Sequence, residues 1–596
     1  VTSGPLNLQG EWARLLVAGL VRLGARDFVV SPGSRSTPLA LALLAEQNER
    51  GAQVRVHSVI DERAAGFFAL GLARSTGVAP VLICTSGTAP AHYYPALIEA
   101  YEARLPLLVL SADRPPELQE VGAAQTIRQN ELFGQFVAYC TDLGAASARS
   151  GSFEALAHKL ELAWSTAESS ARPVHLNAPF YKPLEPGATT GEQEQALRAR
   201  VELLLRELPR FHAGELRSGK AAELLEGALA ESRRPLFVLG VLGSEERVKV
   251  EEVLAREASA RGLDVEELAI WSEVASGSPH RLDLEVALRA GGAHLEPDCV
   301  FQFGARTCSS RYLEWLARTR PKTVLVQEHE PLDPTRSATL NLSLPLKSLE
   351  LPRAGARPAR DSSFLEATGA LSERVRRELD ERLFGPLPSS PKTRGEPELE
   401  EARAVALIAR ALPQSELFVG NSLPLRITSA VLPRARATAP PLRRIFVQRG
   451  VNGIDGLMAG AAGLASAPGE GPVSLFLGDV SAAHDLGALA LLRETARPVW
   501  VWIFDNGGGH IFDQLPLGKN PPEGYELWRT PPRLDFAAIA AAYGLLSFAV
   551  ESEEALKDLL ASFFERARER SAVTRVRTRS TSANEFLDSI RPSERG

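Results

Sequence analysis

The amino-acid sequence predicts an α/β protein of three consecutive domains, each built on a mainly parallel sheet covered by helices. Three observations carry that expectation. Short runs rich in branched and aromatic residues alternate with helical patterns of about 12 residues or more, the signature of strands buried on both faces. At 596 residues the chain is too long for one core, since single cores stop growing near roughly 250 to 300 residues. Two turn-forming, polar stretches, PGATTGEQEQ (186–195) and a second at about 383–397, read as linkers. The expected domains are therefore 1–188, 189–397 and 398–596.

In the first block a helix over 12–23 leads to the strand DFVVSPG, a helix from Thr37, the strand VRVHSVI and a helix from Glu62. The strand VLICTSG, a helix over 89–103 and the strands LPLLVLSAD and PVHLNAP follow. The second block supplies PLFVLG, CVFQFG and TVLVQEHE. The third supplies ELFVG, RIFVQ, VSLFLGD, VWVWIF and LSFAV, each followed by a helical pattern.

Composition prunes the function classes. Hydrophobic residues make up 44% and charged residues 23%, which is ordinary for a globular protein. The net charge of −6 gives no electrostatic footprint for nucleic acid. The Arg-rich run ERARERSAVTRVRTRS (565–580) is expected to be a solvated helix and strand face. Cys84, Cys140, Cys299 and Cys308 are too scattered for a disulfide framework or a metal site, and no apolar run could span a bilayer. Without a signal-peptide pattern, the expectation is a cytoplasmic protein with no membrane partner.

Several motifs are absent. No two of the ten histidines stand four apart, and no GxGxxG occurs. GNSLP (420–424) misses the serine-hydrolase elbow. GELRSGKA (214–221) looks like a phosphate loop but lacks the hydroxyl that would hold magnesium, and no apolar strand precedes it, so it reads as a chance match.

The positive signal is LFLGDVSAAHDLGALALLRE followed by PVWVWIFDNGGGHIF. Gly478 and Asp479 end a buried strand, and a helix opening at Ser481 would offer free N–H groups to a diphosphate. Asn506 ends the next strand. A carboxylate, an amide oxygen and a backbone carbonyl such as that of Gly508 suit a hard octahedral cation, with phosphate oxygens and water completing its shell. For GD and N singly, a cap and a turn would be the better explanation; the spacing and the two strand contexts together favour the cation.

This arrangement resembles the metal-diphosphate motif of thiamine-diphosphate enzymes. Such an enzyme also needs a carboxyl in an apolar setting on another domain, and Glu62 in VHSVIDERAAGFFALG stands where a strand meets an apolar helix. Alternatively, Asp61 and Glu62 form only a cap and a first-turn charge.

The resemblance then narrows. SPGSRSTPLALAL (31–43), DERAAGFFALGLA (61–73), TSGTAPAHYYPALIEA (85–100), SADRPPELQEVGAAQTIRQ (111–129), GNSLPLR (420–426), RGVNGIDG (449–456) and GDVSAAHDLGALALLR (478–493) are similar to the 2-succinyl-5-enolpyruvyl-6-hydroxy-3-cyclohexene-1-carboxylate synthases of menaquinone biosynthesis. It is dense in the outer domains and sparse in the middle one, through FGARTCSSRYLEW and VQEHEPLDPTR.

The resemblance implies the three-domain thiamine-diphosphate enzyme architecture, with a pyrimidine-binding first domain and a diphosphate-binding last one. It implies a transferase that decarboxylates 2-oxoglutarate and adds the succinyl carbanion equivalent to isochorismate, using thiamine diphosphate with Mg2+ or Mn2+. The carried-over roles are Glu62 as the catalytic carboxyl; Asp479, Asn506 and Gly508 as metal ligands; and Thr85, Gln125, Ile454, Gly478, Ser481, Ile511, Phe512 and Leu515 around the cofactor. Arg35, Arg114, Gln125, Arg311, Ser422, Arg426 and Arg449 fall to the two dicarboxylate substrates, which planar cations pair bidentately. Because the family sets the glutamate of one subunit against the diphosphate domain of another, a homodimer or homotetramer is expected.

The chain departs from the family pattern at Ala124 (Asn), Ser310 (Lys), Asp505 (Asn) and His510 (Gln). Another thiamine-diphosphate decarboxylase or carboligase, or a non-catalytic cofactor-binding paralogue, remains an alternative reading of the same motifs.

Overall fold

The computed structural model describes residues 7–592 apart from 186, 188–190, 210–218, 279–281, 306, 330–331, 360 and 387–396, so most of the phosphate-loop lookalike and part of each linker lie outside the described residues. Three six-stranded sheets follow one another along the chain, and every strand pairing is parallel.

The first sheet holds β1 (Asp27–Val30), β2 (Arg55–Ser58), β3 (Val81–Cys84), β4 (Leu107–Asp113), β5 (Tyr139–Asp142) and β6 (Pro173–Pro179), in the order β2-β1-β3-β4-β6-β5. The second holds β7 (Pro235–Leu239), β8 (Ile270–Ser272), β9 (Leu282–Asp283), β10 (Cys299–Phe303), β11 (Lys322–Gln327) and β12 (Leu340–Ser343), in the order β12-β11-β10-β7-β8-β9. The third holds β13 (Glu416–Val419), β14 (Arg444–Val447), β15 (Val473–Gly478), β16 (Val499–Asp505), β17 (Leu546–Val550) and β18 (Ala572–Arg577), in the order β14-β13-β15-β16-β18-β17. Sheets one and three thus share one topology, although no sequence repeat relates them.

The expected strands are all present. Those the sequence reading lacks are β5, β8, β9 and β12, and they are short or lack a clean apolar run. In the Arg-rich segment the expected strand is present, but it is mostly buried rather than solvated. AVTRVR forms β18, a largely buried strand between β16 and β17, and Arg575 pairs with Asp505 at 2.6 Å while Arg577 pairs with Glu551 at 3.1 Å. Its cations answer carboxylates of its own chain, which is why a strand so basic can sit inside a sheet.

The helix Glu62–Thr76 opens at Asp61, whose side chain accepts the N–H groups of Arg63 and Ala64, and closes at Gly77 in the left-handed conformation. Its small residues let it pack closely on the Leu457–Ser466 helix, LMAGAAGLAS, of the third layer. One buried cluster therefore runs from Val29 and Phe67 through Leu457 and Met458 to Ile503, joining the first and third layers, and a second joins the middle layer to the third. Among the described residues no helix is long and apolar enough to cross a membrane, and the four cysteines are free.

Candidate active site

Open parallel sheets offer ligands the loops beyond the carboxyl ends of their strands. The predicted residues occupy those loops in two groups. In the first sheet, Arg35, Glu62, Thr85 and Arg114 follow β1, β2, β3 and β4, four adjacent strands. In the third, Arg449, Ser422, Asp479 and Asn506 follow β14, β13, β15 and β16, again four adjacent strands in the corresponding positions.

The first group is anchored from within its own layer. Arg35 is buried and donates from Nη1 to the carbonyl of Phe180 at 2.7 Å, leaving its Nε without a partner. Burial, and then the charge of Arg114, hold its guanidinium below the usual arginine value. Arg114 donates to the Ser86 hydroxyl, and Gln125 Nε2 donates to the Ser86 carbonyl at 3.1 Å. Gln125 has φ 57°, a left-handed conformation that a side chain other than glycine adopts at a cost. Glu62 differs from expectation: its own chain leaves it only partly buried, and Ile60 beside it is 87% exposed.

In the second group, Ser422 also has positive φ, 68°, and its carbonyl accepts Arg426 Nη1 at 3.0 Å. Burial, and then the adjacent charge of Arg449, depress the Arg426 guanidinium. Arg311, on the Ser310–Thr319 helix of the middle layer, lines a cavity of about 770 Å3 together with Arg426 and Arg449, and pairs with Glu285 at 3.0 Å. Ile511 and Leu515 line its apolar side, while Phe512 is exposed nearby on the same turn. Among the described residues no hydrogen bond or ion pair joins the predicted residues of the first group to those of the second.

Asp479 is 2% exposed. Its Oδ1 accepts the N–H of Val480 at 2.8 Å, and its Oδ2 accepts those of Gly508 at 2.7 Å and Gly507 at 3.1 Å. Gly508 has φ 129°, which only glycine tolerates readily, so the loop can fold over the carboxylate. Burial and the charge of Asp505 push the Asp479 carboxyl well above its ordinary range. Asn506 Oδ1 is buried without a partner. A buried carboxylate crowded by the charge of Asp505 and an orphaned amide oxygen, both out of water, are what a hard dication would satisfy, so these residues fit the expected metal.

The helix here begins at Asp479 rather than Ser481 and lasts only to His484 before a 3-10 run, Leu486–Arg493, takes over. Gly478 and Ser481 bracket its first turn, and Ser481 is buried.

Ile454 lies on the loop between β14 and the Leu457–Ser466 helix. Two residues that sequence reasoning missed hold that loop: Asn421, whose amide nitrogen stands 2.8 to 3.1 Å from the carbonyls of Gln448, Asn452 and Gly453, and Glu99 of the first layer. Both lie inside quoted motifs, so their position was available while their task was not. Of the departures, Asp505 is held by Arg575, His510 Nδ1 contacts Asp513 at 2.7 Å, and Ser310 lines the cavity beside Arg311.

Comparison with known proteins agrees with this fold. Residues 11–132 match the family described as thiamine pyrophosphate enzyme, N-terminal TPP binding domain, and residues 433–576 match its C-terminal TPP binding domain. The chain is similar to 2-succinyl-5-enolpyruvyl-6-hydroxy-3-cyclohexene-1-carboxylate synthases from Sorangium cellulosum (35% identity, 95% of this chain and 92% of the relative) and Bacillus velezensis (33%, 90% and 89%). Among solved structures it resembles benzoylformate decarboxylase from Polynucleobacter necessarius, with a TM-score of 0.63 and 16% identity over 96% of this chain and 98% of the other. That last likeness speaks for the fold alone.

Proposed function

The chain belongs to the 2-succinyl-5-enolpyruvyl-6-hydroxy-3-cyclohexene-1-carboxylate synthases, thiamine-diphosphate-dependent transferases of menaquinone biosynthesis, and from that premise we propose that it decarboxylates 2-oxoglutarate and adds the succinyl unit to isochorismate. The observation that carries the substrate assignment is the convergence of Arg311, Arg426 and Arg449 on one cavity beside Ile511 and Leu515. Adjacent guanidinium groups repel one another, and a dicarboxylate relieves that repulsion with bidentate pairs.

When bound, thiamine diphosphate supplies the electron sink that lets a 2-oxo acid lose carbon dioxide. The rest is the work of this chain's residues. Asp479, Asn506 Oδ1 and the Gly508 carbonyl would hold Mg2+ or Mn2+, with Gly478 and Ser481 at the diphosphate. Glu62 would share a proton with a ring nitrogen of the aminopyrimidine, and Thr85 and Gln125 would contact the cofactor from the same domain. Ile454 would support the cofactor, and Ile511, Phe512 and Leu515 would keep water from the reacting carbon. Arg35 and Arg114 add cations from the first domain, and Ser422 offers a hydroxyl to the substrate.

The two groups of site residues stand on different layers, and Ile60 beside Glu62 is exposed. Both facts support a site completed by a second copy, in a homodimer or homotetramer. In this reading 1–188 binds the pyrimidine, 398–596 binds the diphosphate, and 189–397 contributes Arg311.

The test follows isochorismate loss and carbon dioxide release together, with 2-oxoglutarate, cofactor and Mg2+. The expected result is isochorismate consumption that requires all three. Carbon dioxide release with no loss of isochorismate would assign another thiamine-diphosphate decarboxylase or carboligase; cofactor binding without either reaction would assign a non-catalytic paralogue.

A further inference from the structure

We propose that Glu401 is a positioning residue for the metal, a buried carboxylate that fixes which end of the Asn506 amide faces the cation. The inference rests on the reading of Asp479, Asn506 and Gly508 as the metal ligands.

The two ends of an asparagine amide are nearly equal in shape and opposite in polarity. A dication binds the oxygen and is repelled by the NH2 group, so an amide free to turn by 180° would spend time in a useless orientation. Here Asn506 Nδ2 donates to Glu401 Oε2 at 3.0 Å, and Oδ1 is left buried with no partner. Turning the amide over would set Oδ1 against a carboxylate oxygen and strand the NH2 group, which makes the observed orientation the stable one. The carboxylate also polarises the amide toward Oδ1, strengthening it as a ligand.

Glu401 is well fixed for this task. It is 0% exposed, it is the first residue of the helix Glu401–Ala411, and its backbone N–H donates to the Ser582 hydroxyl at 3.1 Å. It stands 105 residues before Asn506 and enters from a helix outside the strands and loops of the metal group. Its contact with Asn506 is thus an orienting one, made on the side of the amide away from the free oxygen.

The experiment titrates Mn2+ into the full-length protein with excess thiamine diphosphate and reads free Mn2+ by electron paramagnetic resonance, alongside the thermal midpoint of the cofactor-free protein. Glu401→Leu removes the acceptor; Glu401→Gln keeps an acceptor oxygen in place. Glu401→Leu is expected to weaken Mn2+ binding by about 10-fold to 100-fold. Glu401→Gln should stay within about threefold of wild type, with both variants melting alike without cofactor. Wild-type Mn2+ affinity in Glu401→Leu, or equal losses in the two variants, would overturn the proposal. Should Glu401→Leu not fold, Glu401→Ala takes its place with the same readout. Asp479→Asn separates the two readings: if it binds Mn2+ like wild type, the ligand assignment fails; if it loses Mn2+ while Glu401→Leu does not, only the positioning role fails.

Discussion

Glu99 Oε2 accepts the backbone N–H of Val451 at 2.7 Å, tying the first layer to the loop that carries Ile454. The same carboxylate takes the N–H groups of Gly450 and Asn452, each at 2.8 Å, and pairs with Arg74 at 2.9 Å while only 1% exposed. Three successive amides pointing at one anion form a nest, here filled by the protein itself. Glu99→Ala would leave those donors and a buried guanidinium without a partner, at a cost of about 3 to 5 kcal/mol. Denaturant unfolding should show that loss, and calorimetry should show weaker cofactor binding because the Ile454 loop has lost its anchor. Unchanged cofactor affinity in a destabilised variant would mean that the nest serves the fold alone.

The packing of the Glu62–Thr76 helix on the Leu457–Ser466 helix sets a second expectation. A β-carbon on Gly71 would lie 2.0 Å from the carbonyl oxygen of Gly460 and 2.7 Å from the amide nitrogen of Leu464. Both obstacles are backbone, so no side-chain rotation relieves them. Gly71→Ala should therefore cost at least the roughly 1 to 3 kcal/mol typical of overpacking. Gly227, exposed in the helix Gly219–Glu231, meets nothing within 4 Å, and Gly227→Ala should instead stabilise by roughly 0.5 to 1 kcal/mol. Melting the two variants beside wild type checks both signs.

The contrast between these residues explains what could be read in the sequence. Asp479, Asn506, Glu62 and the arginines stand at the ends of apolar strands, where the alternation of the chain itself marks the ligand-binding edge. Glu99 and Asn421 lie within recognisable motifs, yet their partners are backbone groups, which carry no residue signature. Glu401 sits in an ordinary helical pattern, and only the fold brings it to Asn506. Glu62 is only partly buried within one chain although Val59, Ala64 and Phe67 around it are buried, because Ile60 faces outward beside it. The burial of β18 was hidden by its arginines, whose partners Asp505 and Glu551 come from other strands and loops.

Acid sensitivity follows from His175. It is fully buried, its Nε2 lies 2.7 Å from the Ser111 hydroxyl, and burial drives its pKa from an ordinary 6.5 down to about 3. The unfolded chain takes up a proton near pH 6.5 and the folded one does not until about pH 3, so stability is full above the upper value and declines as pH falls between the two. From pH 7.5 to pH 5 this one group should remove about 2 kcal/mol. Urea midpoints across that range should fall more steeply for wild type than for His175→Gln; equal slopes would count against the assignment.

Arg449 sits close enough to Arg426 to disfavour the Arg426 charge, a cost that a bound carboxylate would remove. Arg426→Lys keeps the charge but loses the planar fork, and should raise KM for isochorismate by about 10-fold while changing kcat less. A matching fall in kcat with KM unchanged would place Arg426 at the reacting atoms instead.

The last expectation concerns Glu62 and the layer it serves. Glu62→Gln should abolish turnover and largely spare metal-dependent cofactor binding, because the amide keeps the shape of the carboxyl and cannot trade its proton. Asp479→Ala should abolish turnover by another route, losing the metal and with it the cofactor. If each site takes Glu62 from one chain and Asp479 from another, a mixed dimer of the two variants contains one site with both defects and one with neither. Random re-pairing of the two inactive proteins should then restore about a quarter of wild-type activity, since half the dimers are mixed and each has one intact site of two. If both residues serve a site within one chain, every site in every mixture carries a defect and no activity returns. Ile60, 87% exposed beside Glu62, gives an independent readout: Ile60→Asp should weaken association and lower activity in a manner that higher protein concentration reverses.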